Sequence, residues 1–453
     1  MPTIGMGPSQ SMSFNCIDQF NVVGNSPPVV ADFGSEIFRV SAEPVPFEAA
    51  ITQTSVGLAT MIDSDGILKW AAHNLAINSE APATQNITVT AGADYTIEVE
   101  GVGSVALTNA ATGTVEDGLP VVINALTATL VLTVVGVLSR VWVYRSDLGG
   151  MVRNIATNNS YVPTAGVARY LARRNSYVWR GGRAVRAGLR HESAAATNLI
   201  VNSAVMVTQP VTTTPVAYTL TFTGLGTVTL SGSSTAGPLV GTGEGEGNRV
   251  SLTFTPGIGV LVLTVTGSVL TAQLEVGSVA SSYIQSGAAA ATRPAETLVI
   301  PAANLPAYTD AVSVQIDGDV TYADTNAAAE VTLLDWRADA NNLIDVNIDT
   351  TAGASGKVKF KQSSAGVVDE VETSATAYAP GANVPFNVAS RNTNASINGA
   401  NRGAKLTANT TPTSIADLSA ADMNIAPKFN GNINKVRVWG VDVGDVGIEV
   451  ATS

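Results

Sequence analysis

The sequence predicts an all-β protein made of tandem antiparallel β-sandwich modules of the jelly-roll type, and three observations carry that expectation. The first is an internal repeat. Residues 72–151 open with His73-Asn74-Leu75-Ala76-Ile77-Asn78-Ser79, and residues 196–285 open with the parallel phrase Thr197-Asn198-Leu199-Ile200-Val201-Asn202-Ser203. Each copy continues into an alternating run led by Tyr95 or Tyr218, in which Gly101 and Gly103 align with Gly224 and Gly226. Each closes on an apolar run, from Val131 or Val262. The second copy carries an extra stretch at 237–248, placed where a surface loop tolerates insertion. The second observation is composition: 45% of residues are apolar and only 13% charged. Thr and Val suit a half-buried pleated surface, while Gly and Asn supply tight turns. Disordered chains show the opposite balance. The third is a series of short apolar runs punctuated by turn signals beyond Pro294, the spacing of a sandwich.

Taken in order, the 453 residues divide into four parts. Residues 1–45 are Pro- and Gly-rich and aperiodic, which predicts an extended arm that gains order by docking. Residues 46–160 hold the first sandwich. It begins with short strands around Asp63-Ser64-Asp65-Gly66, read as a hairpin turn in preference to a calcium loop. From Tyr95 to Glu100 apolar and polar residues alternate, the mark of an antiparallel sheet wet on one face. Residues 161–293 comprise a linker hairpin, with strands either side of Gly181-Gly182, followed by the second sandwich. Residues 294–453 form a third sandwich, with strands expected over 311–322, 328–337, 342–350, 356–363, 366–374, 384–391 and 432–440. Turn signals there are Asp317-Gly318, Asn398-Gly399 and Asn430-Gly431. No segment shows a sustained helical period.

Catalytic and metal chemistry finds little support. Cys16 is the sole cysteine, so no disulfide forms within the chain, and a zinc cluster is excluded. His73 and His191 sit at non-equivalent places relative to the repeat and read as surface or hydrogen-bonded structural residues. The glycine-rich stretch 241–247 lacks the Lys-Ser/Thr ending of a phosphate loop. Asp335, Asp339, Asp345 and Asp349 are the densest carboxylates, but Asp345 and Asp349 lie on one strand face with Asn347, the pattern of a solvated face and not of a hydrolytic pair. No cofactor is expected, and a structural calcium ion has no support beyond the Asp-rich turn. The start of the chain lacks the basic and apolar regions of a secretory leader, which implies synthesis in the cytoplasm without secretion by that route and leaves the sequons at Asn86, Asn158, Asn394 and Asn409 little weight. The uncharged stretch Leu119 to Leu138 reads as strand–turn–strand, not as a membrane span.

A net charge of −12 argues against nucleic acid as a partner. The charge is uneven, however: ten arginines and no lysine fall between Arg140 and Arg190, opposed only by Asp147. Such a belt either packs on acidic neighbours within the chain or serves a subunit interface or an acidic polysaccharide. Sugar binding needs an aromatic platform with polar groups nearby. Trp336 with Arg337 at a strand end, and Trp142 with Tyr144 on one strand face, are the candidate glycan-binding residues. Tyr177 and Trp179 alternate in the same way. The alternative for all of these aromatics is that they fill the sandwich cores, and Trp439 in an apolar terminal strand is assigned there.

Three stretches, 59–80, 177–203 and 272–296, resemble modules of tailed-phage fibre and spike proteins, including the head spikes of gene transfer agents. In that family they frame sandwiches similar to carbohydrate-binding modules. Gln285 stands where the family commonly has proline. Residues 320–349, 395–403 and 429–440 resemble a concanavalin A-like, laminin-G-like lectin sandwich. The likeness runs from residue 59 to the C-terminus. It implies a non-enzymatic protein on the virion surface, on head or tail, that adheres to host surface polysaccharide. The arm would anchor it to other virion proteins, and a homotrimer would present several weak sites together. The competing reading is a decoration protein that cements capsid or tail without binding a receptor. A glycan depolymerase is a more distant third.

Overall fold

The computed structural model describes residues 19–324 and 330–453. Cys16 and the first part of the expected arm lie outside the described residues.

The alternation from Tyr95 becomes a strand, Asp94–Asn109, which pairs antiparallel with Thr129–Arg145 along most of its length. Strands Gln85–Thr88, Gly113–Glu116 and Val121–Asn124 complete a five-stranded sheet. Tyr95, Ile97, Val99, Val105 and Leu107 point inward to meet Leu130, Leu132, Val141 and Val143. On the second strand the inward parity changes between Leu132 and Val141, and a register shift between Leu138 and Arg140 accommodates the change. A bulge inserts one residue and so keeps both halves of the strand facing one core. Gly103 sits at the closest backbone approach, where a Cβ would lie 2.3 Å from the Val135 carbonyl oxygen. The uncharged stretch from Leu119 is thus strand–turn–strand, and among the described residues no helix is long and apolar enough to cross a membrane.

The second copy spreads the same plan over two sheets. One carries Gln209–Thr213, Gly259–Thr266, Thr227–Gly232 and Leu239–Val240, and the other carries Val250–Phe254, Tyr218–Thr223 and Leu270–Val276. A polar skeleton is shared. Asn74 donates to the carbonyls of Val141 and Val162 and accepts from the amides of Ala76 and Val143. Asn198 does the same with Ala272, Ile284, Ile200 and Leu274. Ser79 bonds the Tyr161 hydroxyl at 3.0 Å as Ser203 bonds that of Tyr283 at 2.7 Å. The repeat therefore extends in copy one to Tyr161-Val162-Pro163-Thr164, the counterpart of Tyr283-Ile284-Gln285-Ser286. The proline absent at Gln285 is present at Pro163.

The third sandwich has a seven-stranded sheet facing a ten-stranded one. The expected strands are found at Ala311–Tyr322, Glu330–Arg337, Leu343–Asp349, Val358–Ser364, Val367–Glu372, Gly381–Thr393 and Asn430–Trp439. The large sheet also recruits two distant parts of the chain. Val29–Asp32 pairs with residues 435–438 and the hairpin strand Arg183–Glu192 pairs with residues 430–433, both on the same side of Asn430–Trp439. Thr52–Thr54 pairs with residues 297–299 at the edge of the other sheet. The extended arm expected up to residue 45 is therefore corrected. Residues 29–54 are integral to the C-terminal sandwich, where Phe33, Phe38 and Phe47 pack edge to face in its core. Burying three phenylalanines together supplies the stabilisation that an isolated four-residue strand lacks. The hairpin turn at Gly181-Gly182 has positive φ at both residues, 59° and 77°, as a two-residue turn matched to strand twist requires. One feature had no signal in the sequence: the terminal helix Gly444–Thr452. It packs Ile448 and Ala451 beside Trp439, which is 1% exposed and in the core as expected.

Candidate functional site

Trp336 is 0% exposed, deep in the third sandwich. Its indole Nε1 donates to the carbonyls of Leu418 at 3.1 Å and Ala421 at 3.0 Å, and Tyr308 packs on it edge to face. The expected surface platform at Trp336 is thus overturned, because the strand face that carries it is the core face. Arg337 points the other way, exposed, with Nε 2.6 Å from the Asp335 carboxylate. Trp142 and Tyr144 do share a strand face, but the chain at residues 154–163 covers it. Trp142 is buried, its Nε1 donating to Ser160 and its ring meeting Tyr161 edge-on. The Tyr144 hydroxyl donates to Glu98 at 2.8 Å, and burial together with that carboxylate pushes its pKa up to about 12. Neither tryptophan is free to stack on a sugar, and Arg337 and Tyr144 are each held by a carboxylate. The Asp63 carboxylate is occupied by the amides of Asp65 and Ile67 and by Lys69 at 2.6 Å, which makes the Asp-rich turn a hairpin.

Part of the arginine belt resolves into intramolecular pairs, while Arg153, Arg169, Arg183 and Arg186 stay exposed. Arg140 meets Glu100, Arg145 meets Asp147, Arg174 meets Glu36 and Arg180 meets Asp319. These paired arginines pack on acidic neighbours within the chain. Its most buried member, Arg173, lies at the junction of the modules. The guanidinium stands 2.7 Å from Glu192 and 2.6 Å from Glu296, and Nη1 donates to the carbonyl of Thr60 and to Ser282. Arg190 and Arg293 bring two further cations to Glu192, at 2.8 and 3.1 Å. Burial alone would raise the Glu192 pKa, but Arg190, Arg293 and Arg173 outweigh it and hold the carboxyl well below the usual range.

Both histidines are structural and buried. His73 Nδ1 faces the Ala71 carbonyl at 2.7 Å while Nε2 accepts from the Arg145 amide at 2.9 Å, so only the neutral ring fits. His191 Nε2 donates to the Ala426 carbonyl at 3.1 Å. Burial lowers both pKa values to about 4 from the ordinary 6.5. The sign of the consequence is fixed. Each ring contributes stability that is complete above about pH 6.5 and is lost as pH falls toward 4, and the depressed Glu192 adds a loss at lower pH still. Thermal melts should be flat above neutrality and decline steadily from about pH 6.5 downward. Equal melting temperatures at pH 7.5 and pH 4.5 would contradict the neutral buried rings.

One cleft, enclosing about 670 Å³, opens above this charged hub. Its walls are the hairpin strand Arg173–Arg180, the second copy with the strap at residues 278–283, and the C-terminal sandwich at residues 321–324 and 380–383. Trp179 is half-buried, wedged against two glycines. A Cβ on Gly66 would come 2.5 Å from its ring and one on Gly247 3.1 Å. The 241–247 loop, unlike a phosphate loop, thus serves to close the cleft wall. Asn432 lies on the floor, cross-strand from Arg190 and Asp319. It is 0% exposed, and neither Nδ2 nor Oδ1 finds a hydrogen-bond partner among the described residues. Buried amides are nearly always satisfied, and an unsatisfied one costs about 1–3 kcal/mol. The amide thus leaves a donor and an acceptor unpaired just beneath the cleft floor. The sequence held no signal of this, since Asn432 read as the first residue of the strand at 432–440, just after the turn Asn430-Gly431. Orphan status depends on tertiary neighbours.

No protein-family model and no curated protein sequence matches the chain. Among solved structures, it is similar to the CBM40 domain of the Ruminococcus gnavus IT-sialidase bound to α2,3-sialyllactose, at 15% identity over 32% of this chain and 84% of that one, with a TM-score of 0.26. It is similar to the leech intramolecular trans-sialidase at 16% identity and TM-score 0.26, where it spans 32% of this chain and only 23% of the enzyme. The binding domain of botulinum neurotoxin serotype D gives 12% identity over 34% of this chain and 39% of that one, with a TM-score of 0.27.

Proposed function

We propose that the protein is a non-catalytic glycan-binding protein of a virion surface, a fibre or spike that holds host polysaccharide in the inter-module cleft. The observation that carries the glycan part is Asn432, whose unpaired amide lies in the floor of a cleft walled by Trp179 and by serine and threonine hydroxyls. Concave sites with a few convergent polar groups are where small ligands bind, and hydroxyl-rich ligands supply donor and acceptor together. The virion part rests on the resemblance of residues 59–80, 177–203 and 272–296 to phage fibre and spike modules. Anchorage falls to residues 1–18, since 29–54 are committed to the fold, and a homotrimer supplies avidity.

The test joins binding to stability. Asn432→Leu removes an unsatisfied buried amide and replaces it with an apolar group of similar shape, so the melting temperature should stay level or rise. Binding to host surface polysaccharide, followed by calorimetry, should weaken about tenfold or more. A variant that binds as the native chain does would remove the cleft from the function. The decoration reading is favoured by a different observation. Val102 and Val137 are cross-strand partners on the first module, 87% and 77% exposed, with Val135 on the same strand 55% exposed, a surface suited to contact with another protein.

A further inference from the structure

We infer that a second, smaller cavity, which shares no residue with the cleft, binds a small organic acid by its carboxylate. It encloses about 240 Å³ between residues 47–53 and the linker strand at residues 169–174. Phe47 and Ile51, both buried, supply apolar surface. The polar lining is rich in donors that the fold leaves unused. Arg174 spends Nη1 on Glu36, and its Nε and Nη2 have no partner among the described residues. Its side chain is only 10% exposed and its guanidinium lies 4.5 Å over the Phe47 ring, so it is held in place before any ligand arrives. Arg169 is exposed, and its guanidinium makes one long bond, 3.4 Å to the Pro163 carbonyl. The Tyr170 hydroxyl, also in the lining, has no partner among the described residues.

Charge points the same way. Arg174 and Arg186 both act on Glu36, so one carboxylate serves two guanidiniums there. Glu48 is the other carboxylate of the neighbourhood and belongs to the lining. With Arg169 the count is three guanidiniums, Arg169, Arg174 and Arg186, against two carboxylates, Glu36 and Glu48. That leaves one positive charge in excess on a chain whose net charge is −12. One bound carboxylate restores the balance, and the planar fork of arginine is shaped to take it in two parallel bonds. A dianion such as phosphate would overshoot the balance and be repelled by Glu48. The same Glu48 can accept a hydrogen from a hydroxyl elsewhere on the acid.

The experiment is calorimetric titration of the full chain with glucuronate, which carries one carboxylate on a ring of hydroxyls, beside glucose and inorganic phosphate. Glucuronate should bind in an Arg169-dependent manner, and glucose and phosphate should bind at least about tenfold more weakly. Arg169 is exposed and holds no carboxylate of the fold, so Arg169→Gln should melt as the native chain does while glucuronate binding falls about tenfold or more. Asn432→Leu should leave that binding unchanged, which keeps the outcome separate from the glycan reading of the cleft. Glucuronate that binds undiminished to Arg169→Gln, or that is lost in Asn432→Leu, would overturn the assignment. Phosphate that binds as tightly as glucuronate would reduce the cavity to an unselective anion patch, and a native chain that binds no glucuronate would remove the site.

Discussion

Replacing Arg173 with methionine is expected to destabilise the protein by about 3–5 kcal/mol, the cost of breaking one partner out of a buried ion network. Arg173 is fully buried and sits against both Glu192 and Glu296. Without it Glu192 keeps Arg190 and Arg293, while Glu296 keeps the Glu192 backbone amide at 2.9 Å, the neutral His191 ring at 3.9 Å and the more distant charge of Arg293. A carboxylate left this way either remains charged in a low-dielectric site or takes up a proton, and both routes cost stability. Because Arg173 also bonds Thr60 and Ser282, the loss falls on the junction where the hairpin, the first module's opening strands and the second module meet. Urea unfolding of Arg173→Met beside Arg173→Met/Glu296→Met separates causes. The double variant removes the stranded charge and should recover part of the loss, since apolar replacement of a whole ion pair is often near neutral. A single variant within about 1 kcal/mol of native would mean that the hub is solvated and does not lock the modules.

The two kinds of pattern in this chain were unequally readable. Period-two alternation is local, so Tyr95 to Glu100 and the strands of the third sandwich could be placed from sequence to within a few residues. The repeat was equally plain, because Asn74 and Asn198 hold the same four backbone groups in each copy. Residues 29–45 were not readable. Their strands are four residues or shorter, too brief for a period to show, and their order comes from docking Phe33 and Phe38 into a core built by residues far away in the chain. Glycines misled for a related reason. Asp317-Gly318 and Asn398-Gly399 carry turn chemistry, yet both glycines lie inside strands. A Cβ on Gly399 would sit 2.2 Å from the Phe360 ring, and one on Gly318 2.1 Å from the Asn432 carbonyl oxygen. They are there for close approach, which only the packed structure reveals. For the site, alternation rightly put Trp142 and Tyr144 on one face, but what covers a face is tertiary information. Asn432 is the extreme case, since its meaning lies in partners it does not have.

Trp336→Ala is expected to cost about 3–5 kcal/mol, as for other fully buried large aromatics, and to lower the melting temperature by roughly ten degrees. Three losses add up. The indole fills the core of the C-terminal sandwich at 0% exposure, between strands Leu343–Asp349 and Met423–Lys428, and its cross-strand neighbours Ile344 and Met423 would border a cavity. Tyr308 would lose the ring against which it packs at 5.4 Å between centroids. The carbonyls of Leu418 and Ala421 would lose the donor that both share. Trp336→Phe tests the parts separately, because it keeps most of the apolar volume and removes only the indole N–H. Its cost should be smaller, about 1–3 kcal/mol, because the Ala421 carbonyl loses its donor while that of Leu418 keeps the Ala421 amide. Calorimetric melts of the two variants, run beside polysaccharide binding, give a sharp contrast with Asn432→Leu. The tryptophan variants should lose stability far out of proportion to any change in affinity, and the asparagine variant should do the reverse. A Trp336→Ala protein that melts within about two degrees of native yet binds poorly would return this residue to the surface and displace Asn432 from the centre of the site.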